Sequence, residues 1–423
     1  MKEIRSILRY VLLAFLVLLT ANAKAQTTDS TKVDEIEQNR QAYFDGLKVY
    51  LLTCGPGNEA YSLFGHTAIR ISQPERGQDF VVNYGMFSFS QDYFVLRFVF
   101  GITDYQMGIC DYCYFEQEYR SEGRWVFQQE LNLTSSEKET LLASIDENYK
   151  PQNRTYRYNF FYNNCTTKAR DIIFENLNGQ ILNLNKVDRG VSFRDLCHSK
   201  TYDHRWSQFG NDLLLGIMAD MPTTRSGQQF LPENLMRDFS KAVVAGNGKR
   251  QKLVKSESYI VEKQTVVQET SRKDSLTSPR ALLTAISVII IAISIFETRN
   301  RKILWFTDAM LLMITGAAGM ILFSMIFSQH PTVRINLQIL VLNPISFFMA
   351  IPLALQERKK RTSWWHKGYI ACLVLGITGG LFQHYAEGIL ILALSLLIRY
   401  IIITMLCNRL ASVHGAENTT KQK

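Results

Sequence analysis

The sequence has little cysteine and little proline. It contains seven cysteines and nine prolines among 423 residues, too few for a small disulfide-rich scaffold or a collagen-like chain. The segment from Cys110 to Cys113 has the spacing of half a metal site, but no second pair of ligands at zinc-like spacing accompanies it. No internal repeat is evident, and we predict neither a metal site nor a cofactor.

Positive charge is scarce in one part of the chain and concentrated in another. Residues 26–240 contain 21 Lys and Arg against 28 Asp and Glu, whereas residues 281–423 contain 13 against five. The charges of the second region lie between long apolar runs, which indicates a soluble part joined to a membrane part. The soluble part lacks the net basic character of a nucleic-acid-binding protein, so we expect no nucleic-acid partner.

The first 25 residues are typical of a secretory signal peptide. Three basic residues precede a short apolar stretch over residues 10–21, and residues 23–25 form a small-x-small cleavage site. The alternative is an uncleaved anchor, but this stretch is short for the ~20 residues that span a bilayer. No cysteine follows before Cys54, so we do not expect the chain to be a lipoprotein itself.

Five apolar segments in the second half are predicted to be membrane helices. The loops between them alternate in charge: residues 297–302 and 356–368 are rich in Arg and Lys, whereas residues 328–336 and 384–387 are not. The positive-inside rule therefore places the basic loops and the C-terminus in the cytoplasm and residues 26–279 on the exported side. The predicted segments are about 281–296, 303–327, 337–355, 369–383 and 388–406.

The exported part changes from strand patterns to helix patterns along the chain. Short β-type runs occupy residues 48–131, and Thr134 with Glu137 then forms a capping box before a helix. A second helix is predicted from Cys165. The fold class is therefore an α+β exported domain followed by a helical membrane domain. The predicted units are a signal peptide over 1–25, the exported domain over 26–240, a polar connector with a strand-like segment over 241–280, a five-helix transmembrane domain over 281–406 and a tail over 407–423.

Five of the seven cysteines lie in the exported region, where an oxidising compartment favours pairing. Five cysteines cannot all pair within one chain, so one thiol is left over. Cys165 is the best candidate, because it opens a helix whose exposed N–H groups and dipole stabilise a thiolate. For the others we expect a structural disulfide rather than a redox role, with Cys110 or Cys113 joined to Cys54 or Cys197.

A nucleophilic cysteine also needs a base, and His66 is the only histidine in the strand-rich half. It lies in an apolar, strand-like segment directly after a glycine. Asn83 on the next strand is our candidate for orienting the imidazole, and Asp79 is the rival. The alternative is a disulfide cysteine with an incidental histidine.

A Gly-His strand followed about 100 residues later by Asn-Cys at a helix start resembles the circularly permuted papain-like fold. That group includes NlpC-type amidases and lecithin:retinol acyltransferase-like enzymes. A finer resemblance rests on the segments 52–57, 61–66, 82–85, 156–159, 164–171, 230–232, 330–331 and 343–344. It is to the Lnb-type lipoprotein N-acyltransferases, and it covers most of the chain after the signal peptide.

This resemblance implies transfer of an acyl chain from a phospholipid to the α-amino group of the diacylglyceryl-cysteine that begins a bacterial lipoprotein. Cys165 would attack the phospholipid ester with His66 as general base, and the lipoprotein amine would then take the acyl group from the thioester. Asn83 would orient His66, while helix-start N–H groups with Asn164 would stabilise the oxyanion. The resemblance also implies the bacterial inner membrane, with the catalytic domain in the periplasm.

Polar residues in or near the two exported membrane loops are candidates for contact with substrate or with the membrane face, because such groups are costly at membrane depth. The alternative is that they cap helices or solvate the loops. They are His330, Asn336, Asn343, His384 and Glu387.

Two other functions remain open. One is an exported cysteine hydrolase, either a cell-wall amidase or peptidase or a phospholipase. The other is a non-enzymatic sensor or scaffold in which Cys165 is structural. The bundle of membrane helices argues against a cell-wall amidase, because such an enzyme could work with a single membrane anchor.

Overall fold

The computed structural model describes residues 30–87, 92–182, 190–246, 248–263 and 277–421. The predicted signal peptide lies outside these ranges. A sheet-rich domain comes first and a helical domain follows, as the sequence predicts.

Strands of the first domain form two sheets. The strands of the described residues are β1 Lys48–Cys54, β2 His66–Gln73, β3 Gln78–Met86, β4 Asp104–Asp111, β5 Val126–Leu131, β6 Thr155–Arg157, β7 Gln180–Leu182, β8 Val243–Gly246, β9 Lys249–Lys252 and β10 Val254–Val261. An antiparallel seven-stranded sheet has the order β10-β5-β1-β2-β3-β4-β6, and β7, β8 and β9 form a smaller one.

Helices cover both faces of the large sheet. In the described residues of this domain the helices are α1 Ser30–Gly46, α2 Phe94–Val99, α3 Tyr112–Ser121, α4 Ser135–Tyr149, α5 Cys165–Glu175, α6 Phe193–Thr201, α7 Arg205–Leu214, α8 Arg225–Gln228 and α9 Pro232–Lys241. Side chains of α4, α5 and α9 pack on one face, beside strand residues such as Leu51 and Ile69, and α3 packs on the other, beside Leu52 and Ala68. This alternation follows from the period of two in a strand.

Local signals identified two of these helices. Thr134 and Glu137 form the predicted capping box at the start of α4, since each side chain bonds the backbone N–H of the other residue. Helix α5 begins at Cys165, as predicted, and buries Ala169, Ile172 and Ile173 against the sheet. The helix that carries the candidate nucleophile is therefore fixed by its apolar face.

The predicted polar connector begins too early. Strands β8, β9 and β10 lie within the predicted connector, and β10 pairs with β5 at the edge of the large sheet. Its exposed Lys, Ser and Glu side chains give this edge strand the composition of a linker. The first domain therefore extends to at least Val261.

The second domain contains five helices within the described residues: α10 Pro279–Asn300, α11 Trp305–Met325, α12 Pro344–Arg358, α13 Trp364–Gly379 and α14 Ile389–Lys421. By length and composition, four segments in the described part of the chain are candidate membrane spans: Pro279–Asn300, Trp305–Met325, Pro331–Arg358 and Ile389–Ser412. The fourth predicted segment forms α13, which has only 16 residues. A single buried arginine joins three of the helices, because Arg399 of α14 pairs with Glu297 of α10 and Asp308 of α11.

The two domains contact each other through backbone and side-chain hydrogen bonds. Gly216 N–H donates to Thr332 O at 2.8 Å, and Ile217 N–H donates to Ile335 O at 2.8 Å. Arg205 of α7 also pairs with Glu387, which lies just before α14. These contacts hold the first domain against one end of the helical domain.

Candidate active site

The candidate nucleophile lies where a helix begins. Cys165 is the first residue of α5, and it is partly exposed and unpaired. The start of α5 meets the start of β2, where the hydroxyls of Thr67 and Thr166 are 3.1 Å apart. The helix dipole and the N–H groups of this first turn favour negative charge at the sulfur.

The glycine before His66 has a steric reason. Gly65 has φ of +78°, and a Cβ at this position would lie 2.6 Å from the carbonyl oxygen of Cys54. Only glycine fits this turn, and the turn delivers His66 as the first residue of β2. The imidazole is thus held by a strand of the central sheet.

His66 and Cys165 form a hydrogen-bonded pair that changes the ionisation of both. Burial acts to raise the pKa of the Cys165 thiol. This effect is outweighed by the charge and hydrogen bond of His66, the Thr67 backbone N–H and the Thr166 hydroxyl, which together lower the pKa to about 7. Burial acts to lower the pKa of His66, and the thiolate and Asn83 raise it above its usual value. The pair therefore favours thiolate and imidazolium near neutral pH.

Asn83 is the third member of the arrangement. The register pairs Asn83 of β3 with Ala68, so Asn83 lies diagonally across from His66 on the same face of the sheet. His66 Nε2–H donates to Asn83 Oδ1 at 3.1 Å, which leaves Nδ1 for the thiol. Asn83 Nδ2 donates to Cys110 Sγ at 3.4 Å and so fixes the orientation of the amide.

Asp79, the rival of Asn83, is engaged elsewhere. It lies opposite Ser72, near the other end of β2, and forms a two-bond ion pair with Arg70 at 2.8 and 2.6 Å. The structure therefore places Asn83, and not Asp79, beside the histidine.

Comparison with known proteins matches both domains to one family. The model of the Lnb N-terminal periplasmic domain matches residues 35–198, and the model of the Lnb transmembrane domain matches residues 271–410. The chain belongs to the Lnb family. Neither the curated proteins nor the solved structures gave a significant match.

Membership of the Lnb family makes the chain a membrane-anchored protein with a periplasmic domain. Cys165, His66 and Asn83 all lie in the part matched by the Lnb periplasmic domain. The papain-like character of that domain stays a prediction.

Asn164 has a structural task that conflicts with the predicted oxyanion role of its side chain. Its Oδ1 accepts from Thr167 N–H at 2.9 Å and caps α5. Its Nδ2 donates to the carbonyls of Phe160 and Phe230 at 3.0 and 2.9 Å, so both amide hydrogens are used. The Asn164 side chain therefore has no free N–H to offer to an oxyanion.

The predicted disulfide is not formed. Across the described residues all seven cysteines are free. Strands β1 and β4, which carry Cys54 and Cys110, are three strand spacings apart, about 14 Å, whereas bridged Cα atoms are under about 7 Å apart. Cys113 is exposed on α3, and Cys197 is buried in a different apolar cluster on α6. The odd-cysteine argument for Cys165 therefore fails, although its helix-start argument holds.

The polar loop residues mostly join the domains or cap helices. Asn336 Nδ2 donates to Leu213 O at 2.8 Å, Glu387 pairs with Arg205, and the backbone N–H of His384 donates to Asp220 at 3.2 Å. Asn343 caps α12, since its Oδ1 accepts from Ile345 N–H at 3.0 Å. His330 contacts the first domain at Phe98, with ring centroids 6.4 Å apart.

One cluster in the described residues has the composition of a metal site. The ligand atoms of His198, Asp212 and His384 lie within 4.8 Å of one another. Asp212 also accepts from Arg194 at 2.8 Å, and the guanidinium opposes the binding of a second cation. Sequence spacing could not identify this cluster, because its members come from α6, α7 and the loop before α14.

Sequence reasoning also missed the residues around the thiol. Tyr84 and Tyr156 form an edge-to-face pair, and a Cβ added to Gly85 would lie 3.5 Å from Cys165 Cβ and 3.9 Å from Tyr156 Oη. Gly85 and Tyr156 lie in two of the segments that carry the family resemblance. These motifs therefore contained residues that line the site, but only the order of the strands in the sheet shows that they lie together.

Proposed function

We propose that this Lnb-family protein transfers an acyl chain from a phospholipid, through a thioester on Cys165, to the N-terminal amine of diacylglyceryl-cysteine lipoproteins. The observation that carries the proposal is the Cys165–His66–Asn83 arrangement, in which the thiol has a pKa of about 7. Such a thiol is substantially ionised at neutral pH and nucleophilic.

In the first half-reaction, the Cys165 thiolate attacks the carbonyl carbon of a phospholipid ester. The carbonyl oxygen becomes an oxyanion, which the first-turn N–H groups of α5 would stabilise. The imidazolium of His66 then gives its proton to the departing alkoxide, so a lysophospholipid leaves and the acyl chain stays on sulfur as a thioester. Asn83 keeps His66 Nε2–H hydrogen-bonded, so that Nδ1 handles the proton.

In the second half-reaction, the neutral amine of the lipoprotein attacks the thioester carbonyl. His66, now unprotonated, takes a proton from that amine as the carbon–nitrogen bond forms. The carbon–sulfur bond breaks and the Cys165 thiolate is restored. One acyl chain has then moved from an oxygen ester to an amide, with no net use of protons or electrons.

Attachment to the membrane domain suits this chemistry. Both proposed substrates are lipids, and we place them in the periplasmic leaflet of the inner membrane. The contacts of Gly216, Ile217 and Arg205 with the ends of the membrane helices hold the first domain at that surface. A cell-wall amidase or peptidase would have no need of a five-helix domain, so transfer between lipids is the better account.

The direct test is mass spectrometry of lipoprotein N-termini in cells that have no other N-acyltransferase. Cells with the wild-type protein should contain lipoproteins with a third acyl chain, and cells with Cys165→Ala or His66→Ala should not. His204→Ala is the matched control, because His204 precedes α7 and lies outside the site. A third chain that persists with Cys165→Ala would refute the proposal.

A further inference from the structure

Five aromatic rings form a continuous row beside the candidate active site. Their centroids are 4.0 Å apart for Tyr158 and Tyr105, 4.9 Å for Tyr105 and Phe87, 5.7 Å for Phe87 and Phe94, and 6.4 Å for Phe94 and Phe98. Neighbouring planes are within 21° of parallel. These residues come from four places in the chain, namely the end of β3, helix α2, strand β4 and the stretch after β6, so the row is a product of the fold. We call them the ring row.

The inner end of the ring row lies at Cys165. Tyr156 pairs with Tyr105 between β6 and β4, and its hydroxyl borders the space beside Gly85 that Cys165 Cβ also borders. Burial is the main cause that raises the pKa of the Tyr158 hydroxyl, and the negative charge of Cys165 is the second cause. Tyr158 therefore lies close to the sulfur. An apolar chain lying along the ring row would therefore end near the sulfur.

The outer end of the ring row lies at the membrane domain. Phe98 faces His330, and Gln329 N–H donates to Phe100 O at 2.9 Å. A Cβ added to Gly101 would lie 3.0 Å from His330. His330 comes just after α11, whose span ends at Met325. The row thus runs from the nucleophile to the outer end of a candidate membrane helix.

Short helix α2, at this outer end, presents apolar side chains to its surroundings. Tyr93, Leu96 and Phe98 are 77%, 55% and 43% exposed, and Phe323 and Phe327 at the end of α11 are also exposed. An apolar surface of this kind is unusual on a domain that faces water, and it is continuous with a segment that faces lipid. Continuity with the candidate spans identifies lipid, rather than a second protein, as the occupant.

We propose that α2 inserts into the surface of the bilayer and that the ring row binds a phospholipid acyl chain and so positions its ester near Cys165. The occupant is the acyl chain of a phospholipid from the periplasmic leaflet. The fate of that ester rests on the proposed function, whereas the contact of α2 with lipid does not.

The test is photo-crosslinking of the full-length protein in proteoliposomes. The probe is phosphatidylethanolamine with a diazirine in one acyl chain, and Cys165→Ala protein removes any contribution from turnover. Mass spectrometry should find crosslinks on residues 93–98 and on Phe87 or Tyr105, in addition to the membrane helices. Leu96→Glu should reduce crosslinking of these residues at least about fivefold, because a carboxylate is disfavoured among acyl chains.

Tyr114→Glu is the matched control, since Tyr114 is 59% exposed on α3, which packs against the sheet. It should leave the crosslinks of α2 and the ring row unchanged. Crosslinks confined to the membrane helices, equal loss in both variants, or protein–protein crosslinks through α2 would each overturn the proposal. If α2 and the ring row crosslink as expected while wild-type protein transfers no acyl chain to a lipopeptide, the proposed function fails and the lipid path stands.

Discussion

Replacement of His66 by alanine should raise the pKa of the Cys165 thiol, although His66 lies on β2 and Cys165 on α5. With His66 present, the pKa of Cys165 is lowered from 9.0 to about 7, so about half of the thiol is ionised at pH 7, against about 1% for a thiol of pKa 9.0. Without His66, burial is the largest remaining influence and acts to raise the pKa. The thiolate fraction at pH 7 should then fall at least about fiftyfold.

Alkylation by iodoacetamide, followed peptide by peptide with mass spectrometry between pH 5 and pH 10, measures this effect. Because the thiolate reacts, the rate at Cys165 should rise with pH through a midpoint near 7 in the wild type and through a midpoint above 9 in His66→Ala. The exposed thiol of Cys113 is an internal reference, and His204→Ala is the control protein. The same midpoint in the wild type and in His66→Ala would refute the claim that the imidazole activates this thiol.

Three further substitutions test the supports of the site and of the bundle. Gly85→Ala should lower the free energy of unfolding by about 1–2 kcal/mol, because Gly85 has φ of +88°, and it should also reduce turnover, because the new Cβ faces Cys165. The control is Gly77→Ala, at φ of +66° with open space around it, which should lower the free energy of unfolding as much and leave turnover intact. Asn164→Ala should lower the free energy of unfolding by about 1–3 kcal/mol, measured by thermal unfolding, and Asn164→Asp, which keeps the cap acceptor, by less. Arg399→Leu should destabilise the protein in detergent by about 3–5 kcal/mol, since it strands two buried carboxylates; an unchanged unfolding midpoint would contradict this.

The sequence predicted best those positions at which a short motif implies one local structure. The Gly-His and Asn-Cys motifs predicted a histidine on a strand and a cysteine at a helix start, and both are found there. The choice between Asn83 and Asp79 needed the register of β3 on β2, because both residues lie in one strand. A one-residue change of register would have turned Asn83 to the other face.

Pairings between distant segments could not be predicted. The expected disulfide assumed that cysteines in one compartment meet, but the order of the strands separates Cys54 from Cys110. Strand β10 carries the charges of a linker because only one of its edges is paired. Asn336 and Glu387 contact the first domain, a role that depends on the docking of two domains.

Trapping of the acyl-enzyme is the measurement that tests the central claim most directly. The purified full-length protein would be mixed with isotope-labelled phospholipid in micelles, quenched in acid, digested and analysed by mass spectrometry. We expect one labelled acyl chain on the peptide that contains Cys165, none with Cys165→Ala, and discharge of the label onto a diacylglyceryl-cysteine lipopeptide added as acceptor. A wild-type protein that acylates the lipopeptide without ever carrying label on Cys165, or that carries label and releases it only as fatty acid, would contradict the account.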